Sequence, residues 1–314
     1  MSLQVMGKPA KSESVRGNLM YQKILVPLDG SKVAEGALPY VKELARRFGS
    51  NAVLLTACEP ENCFGRPLRA YLESSVDELH SLGIKASMET IEGEAAKVIL
   101  DFAQGNDIDL IVVSTHGHGG ASCIWPMGSI ANKVLRRSHI PILLIRSCEP
   151  ETVVTARHMK KILVPLDGSS FAECIIPYVE ALAVKTDNEV ILLRVIEPVN
   201  IPPFITQLLP RFYDEKYEDK IAAKLEREVK RYLDKKRDVL KSKGVNVSAV
   251  SLTGEPSNTI LQYAEDNSVS LIALATHGFS GITKWAYGSV ASKIIEGSSK
   301  TTLIVRPPLP GSQD

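Results

Sequence analysis

The chain has 314 residues, 44% hydrophobic and 23% charged, which predicts two globular domains with enough apolar surface for two cores. Lys plus Arg is 37 and Asp plus Glu is 36, and a net charge of +1 argues against a nucleic acid or an anionic membrane held by bulk charge. There is no apolar run near the ~18 residues of a membrane span and no hydrophobic stretch in the first twenty residues, so no membrane span and no secretory leader are expected.

In chain order, residues 1–20 read as a disordered polar tail. Strands are expected near 22–27, 52–57, 84–90, 109–114 and 141–146, with helical patterns between them. SCEPETVVTARH (147–158) is short and polar. It marks a linker at 148–158 between a first domain at 21–147 and a second at 159–308, with 309–314 as a tail. In the second domain KILVPL (161–166) is a continuous apolar run suited to a buried parallel strand. Ser169 or Ser170 can cap a helix over about 171–185. EVILLRVI (189–196) is the next strand. A long helix over about 211–242 puts Tyr217, Ile221, Leu225, Val229, Tyr232 and Leu240 mostly on one stripe, and Lys243-Gly244 stops it. VNVSAVSL (245–252) is a strand, 256–266 a helix, SLIALAT (270–276) a strand, 289–297 a helix and TTLIVR (301–306) the last strand.

The two domains are one module written twice. KILVPLDGS occurs at 23–31 and again at 161–169, and the match runs on from Ala34 and Glu35 to Leu44 and Ala45 at an offset of 138. STHGHGG (114–120) matches ATHGFSG (275–281) at an offset of 161, and GSIANKVL (128–135) matches GSVASKII (288–295) at 160. Such a period is too long for a solenoid. The second copy gains 23 residues ahead of Gly254-Glu255, and the first has one extra residue between Gly117 and Gly128. Strand and helix alternate throughout. The expected fold is therefore α/β: two tandem open five-stranded parallel-sheet domains, Rossmann-like, with helices on both faces. Ligands of such sheets bind beyond the carboxyl ends of the strands where strand order reverses, which directs attention to the residues after the first and fourth strands.

Asp29 and Asp167 follow the first strand in Pro-Leu-Asp-Gly-Ser. A carboxylate there can accept from a ribose hydroxyl or a base amine, or it can cap the next helix and shape the turn. After the fourth strand of the second copy come Thr276-His277-Gly278-Phe279-Ser280-Gly281, then Gly288-Ser289 opening a helix. Glycines let backbone N–H groups approach a phosphate, and the Ser289 hydroxyl, the first-turn amides and the helix dipole favour an anion. The alternative is a tight turn before an ordinary capped helix. His116 and His118 with Cys123 fit no zinc spacing, so no metal is expected and the histidines read as loop residues. Five cysteines at irregular spacing suit a reducing cytoplasm rather than a disulfide scaffold, and Cys63 and Cys123 read as inert loop thiols.

With VPLDGS, Gly254-Glu255-Pro256 and the Thr-His-Gly loop spaced to Gly-Ser, the chain resembles the universal stress protein family in its tandem form. The resemblance covers nearly all of 21–307. It implies the adenine nucleotide alpha hydrolase-like fold, and ATP, ADP or AMP, with Mg²⁺, as the ligand in the family's nucleotide-binding branch. The family's nucleotide pattern is Gly, two residues, Gly, nine residues, then Gly-Ser or Gly-Thr. Here nine residues separate Gly278 from Gly288, Ser289 follows, and Ala275 takes the place of the first glycine. Carried over by position, adenosine lies near Pro165, Leu166, Asp167 and Val195, and the phosphates lie on Gly278, Gly288, Ser289 and Val290. Thr276, His277, Ser280 and Gly281 complete the loop.

In the first copy the equivalent positions are Pro27, Leu28, Asp29, Gly117, Gly128 and Ser129. There Ser114 stands at the first glycine, Ala57 replaces Val195, and ten residues with Trp125-Pro126 fill the loop, so nucleotide is expected mainly in domain 2. The resemblance also implies an intrachain pseudo-dimer through the last strands, 141–146 and 301–306, with a homodimer of chains beyond it. No P-loop and no kinase-type Asp and Asn set is present, so any ATP hydrolysis is expected to be slow. Three functions stay open: a stress-response sensor or regulatory module that binds an adenine nucleotide, a slow ATPase, and a nucleotide-free interaction protein.

Overall fold

In the computed structural model the described residues are 20–58, 66–115, 127–146, 160–198, 215–277 and 287–307, and they alternate strand and helix as expected. The first half runs β1 (Lys23–Pro27), α1 (Lys32–Glu35), α2 (Leu38–Phe48), β2 (Asn51–Cys58), α3 (Arg66–Ser81), β3 (Lys85–Glu92), α4 (Ala95–Gly105), β4 (Leu110–Ser114), α5 (Ser129–Arg137) and β5 (Ile142–Ile145). The second runs β6 (Lys161–Pro165), α6 (Ser170–Glu173), α7 (Ile176–Thr186), β7 (Glu189–Ile196), α8 (Glu215–Ser242), β8 (Asn246–Thr253), α9 (Pro256–Asp266), β9 (Leu271–Ala275), α10 (Ser289–Gly297) and β10 (Thr301–Val305).

One difference from the expected elements is instructive. The helix expected over 171–185 is two helices, α6 and α7, broken at Cys174–Ile175. Pro177 has no N–H to give the Glu173 carbonyl, and its ring crowds that carbonyl. Pro39 and Glu35 produce the same break between α1 and α2. Of the two candidate caps it is Ser169 that acts, its hydroxyl accepting from the Ala172 N–H at 3.1 Å.

The strands form one sheet in the order β3-β2-β1-β4-β5-β10-β9-β6-β7-β8. Each half is parallel, and the halves join antiparallel, with Thr302 opposite Leu144, Leu303 opposite Leu143 and Ile304 opposite Ile142. Helices cover both faces. On one, α1 to α3 and α6 to α8 share a continuous core that takes Ile24, Val26 and Leu143 from one half and Ile162, Val164 and Leu303 from the other. On the opposite face α4 and α5 close one core over Leu25 and Ile111, and α9 and α10 close another over Leu163 and Ile272.

Polar contacts stitch the seam. The Tyr21 hydroxyl donates to the Tyr178 carbonyl at 3.0 Å, and Thr301 donates to the Tyr40 hydroxyl at 2.9 Å. Arg146 donates to the Ile295 carbonyl at the end of α10, and Arg306 to the Arg136 carbonyl at the end of α5. Each arginine thus satisfies a helix-terminal acceptor that has no partner within its own helix.

No described helix is long and apolar enough to cross a membrane. Cys174 is a free thiol that burial pushes up to about 12, whereas Cys58 is disulfide-bonded, a departure from the expectation of unpaired cysteines. Cys63 and Cys123 lie outside the described residues.

Candidate functional site

Strand order reverses between β1 and β4 in the first half and between β6 and β9 in the second. There the strands also part. β6 pairs with β7 over five residues, yet with β9 only at Ile162–Leu271 and Leu163–Ile272. β1 and β4 pair only at Ile24–Leu110 and Leu25–Ile111. The carboxyl ends, at Pro165 and Ala275 and at Pro27 and Ser114, therefore flank a crevice of the kind open α/β sheets use for ligands.

The Asp-Gly-Ser segments form one lip. Leu166 extends the ladder, its N–H donating to the Leu193 carbonyl at 2.8 Å, and Leu28 does the same to Leu55 at 2.9 Å. The chain then turns through Gly168 at φ +83, or Gly30 at φ +79. Asp167 Oδ1 accepts from the Ser169 N–H at 2.9 Å and the Ser169 hydroxyl at 2.6 Å. Asp29 does so from Ser31 at 3.0 and 2.6 Å. The turn-shaping role of the aspartate is thus present, and it occupies one carboxylate oxygen. Val195 lies half-buried at the carboxyl end of β7, against the core under α9 and α10, and Ala57 holds the matching place on β2.

The other lip joins the end of β9 to the start of α10. The Thr276 N–H donates to the Val305 carbonyl at 2.9 Å, and the Gly288 N–H donates to the Thr276 carbonyl at 2.9 Å. The first half repeats this with Thr115 to Ile145 at 2.9 Å and Gly128 to Thr115 at 2.8 Å. The Gly288 amide is therefore already committed. Among the described residues the donors left to meet a ligand include the first-turn amides at Ser289 and Val290 and the exposed Ser289 hydroxyl. Gly288 is the N-cap and makes no side-chain cap, and no acidic residue stands in the first turn of α10. Gly128 and Ser129 open α5 in the same way. By contrast α1, α6 and α9 are capped by Ser31, Ser169 and Glu255. Helix starts without a capping side chain, set at the mouth of a crevice, favour an anion.

His277 is buried, with Nδ1 2.8 Å from the Thr276 hydroxyl. Ala275 and Thr276 are buried beside it. Among the described residues no three His, Cys, Asp or Glu side chains are grouped to hold a metal. Gly117, Gly278, Ser280 and Gly281, with His116 and His118, lie outside the described residues.

Gly254-Glu255-Pro256 has a supporting role. A Cβ on Gly254, at φ +158, would sit 2.4 Å from Thr259 Oγ1. Glu255 accepts from the Asn258 N–H at 2.8 Å and from Lys293 of α10 at 3.1 Å, and these bonds, with one from Ser257, hold its carboxyl down at about 2. Glu94 and Lys133 make the matching bridge between α4 and α5 at 2.6 Å. The motif fixes the helix that carries Ser289.

Sequence reasoning missed the charges that distinguish the halves. In the first, Thr56 donates to the Leu28 carbonyl at 2.8 Å. In the second, Arg194 replaces it, donating to Leu166 at 3.4 Å and lying against Gly168, where a Cβ would meet its Nη1 at 3.3 Å. Beside it Tyr232 and Lys236 bond the Glu173 carboxylate at 3.0 and 2.5 Å. Lys236 corresponds to Ser75. The second site thus gains two cations, and the offset of 138 that aligns Thr56 with Arg194 could have flagged the first of them.

Residues 20–146 and 158–306 each match the universal stress protein family. A universal stress protein of Methanocaldococcus jannaschii is 32% identical over 153 residues, spanning 47% of this chain and 94% of that protein. One of Synechocystis is 21% identical over 320 residues, 91% of this chain and 100% of that one. Among solved structures, a universal stress protein from Archaeoglobus fulgidus covers 91% of this chain and 98% of its own at a TM-score of 0.63 and 17% identity, a likeness of fold.

Proposed function

From the premise that the chain belongs to the universal stress protein family as a tandem pair, we propose that it is a regulatory module that binds an adenine nucleotide, mainly in the second domain. One observation carries the reading: the start of α10, with no capping side chain, is tied by the Gly288–Thr276 bond to the end of β9, beside the crevice that opens next to Asp167. In this reading the amides of Ser289 and Val290 and the Ser289 hydroxyl receive phosphate oxygens. Asp167, Pro165, Leu166 and Val195 line the adenosine end. Mg²⁺ would ride on the phosphates, since no described cluster offers it a cage of its own. Domain 1 shares the backbone frame but has Ala57 in place of Val195 and an exposed Ile130 in place of the half-buried Val290, which supports weaker binding there.

The test is the nucleotide released on denaturing the purified protein, identified and counted per chain, with titration of ATP and Mg²⁺ into stripped protein. One adenine nucleotide per chain is expected. Ser289→Asp should abolish binding without loss of thermal stability, because the new carboxylate repels phosphate yet suits the helix start. Ser129→Asp should leave that binding in place. No released nucleotide and no binding by stripped wild type would leave the interaction protein as the reading. Turnover lost in Ser289→Asp would favour the slow ATPase.

A further inference from the structure

Tyr287, the residue immediately before Gly288, packs against the cores of both halves. Its ring lies 5.9 Å from the Arg136 guanidinium carbon, within cation–π range. Arg136 lies in the last turn of α5 in the first half and is itself braced, its Nε donating to Asn132 Oδ1 at 2.8 Å. Arg306 clamps the same corner by donating to the Arg136 carbonyl. The antiparallel seam explains the meeting: it runs the end of α5 alongside the start of α10.

The hydroxyl of Tyr287 and the Nε of Arg306 are both buried at this corner, with the Arg306 guanidinium beside the phenol, and the contact with Arg136 is made by the ring face. Burial holds that phenol protonated, well above the ordinary tyrosine range, and Arg136 therefore faces a neutral ring. The matching residue of the first half is Met127, buried in an apolar core. The device is thus specific to the second site.

Gly288 has no side chain to fix the start of α10. The Glu255–Lys293 bridge holds the helix one turn further on, and at the start itself stand the Gly288 bond to Thr276 and the anchored ring before it. We propose that the second site is completed from the first domain, with Arg136 as a positioning residue that holds Tyr287 and, through it, the Ser289 and Val290 amides that receive the anion. This rests on the nucleotide reading above.

The test titrates ATP with Mg²⁺ into stripped wild type, Arg136→Ala, Tyr287→Phe, Tyr287→Met and the Arg136→Ala, Tyr287→Met pair, with melting temperatures beside each. Tyr287→Phe keeps the ring and should bind like wild type. Arg136→Ala and Tyr287→Met should each weaken binding roughly three- to tenfold, and the pair no more than either alone. Undiminished affinity in Arg136→Ala and Tyr287→Met, with wild type binding, overturns this inference alone. Additive losses in the pair, or a loss in Tyr287→Phe equal to that in Tyr287→Met, overturn it too. Failure of wild type to bind overturns the nucleotide reading and this inference with it.

Discussion

At Gly254 a single hydrogen decides the geometry. A methyl group there would meet Thr259 Oγ1 at 2.4 Å on a backbone at φ +158. Gly254→Ala should cost about 1–3 kcal/mol, read from the denaturant midpoint, and adding Thr259→Ala should restore part of it. Next to it, Glu255 has a carboxyl held down at about 2 by Asn258, Ser257 and Lys293. A carboxylate depressed in the folded state contributes stability that is full above its unfolded pKa of about 4.3 and is lost as pH falls toward 2. The wild-type denaturant midpoint should therefore fall further between pH 5 and pH 2 than that of Glu255→Gln. Asp167 shows how far a residue can be read from sequence. Its dual reading as ligand acceptor or turn former was legible, but that Ser169 takes Oδ1 depends on a φ of +83 at Gly168. Arg194 gave no local signal, because a cation inside an apolar strand means something only once Thr56 is known to face the Leu28 carbonyl, the counterpart of Leu166 in the first half.

The strands and long helices were legible because burial on both faces writes continuous apolar runs, and a stripe of period 3.6 writes a helix. β4 and β9 are buried along their whole length, and 256–266 and 289–297 are helices with those bounds. The break before α7 escaped because periodicity does not register a missing N–H, and Pro177 keeps the apolar pattern while removing the bond. Ser169 carries two loads here, capping α6 and bonding Asp167. Ser169→Ala should lower stability by about 1 kcal/mol, measured by urea denaturation. Its effect on nucleotide affinity separates the aspartate's role in the turn from a role toward ligand.

The internal repeat made the two-part molecule legible at once, since the same nine residues at 23–31 and 161–169 must serve the same strand and turn. The shared core on one face and the pair of cores on the other were not, because they depend on how β5 meets β10. That seam buries Leu143 and Leu303 nearly completely. The second domain expressed alone at 159–308 would bare the β10 edge, an apolar strand with unpaired backbone groups. It should self-associate through that edge, giving at least a dimer by light scattering.

The antiparallel join of two parallel halves has a geometric corollary. The strands of one half point opposite to those of the other, so the two crevices open at opposite rims of the same sheet. Among the described residues the chain is two-headed, with its two mouths facing apart. Each mouth sits beside the tail ends of the other half's helices. Any word passed between the heads must travel through packed protein, across the width of the seam.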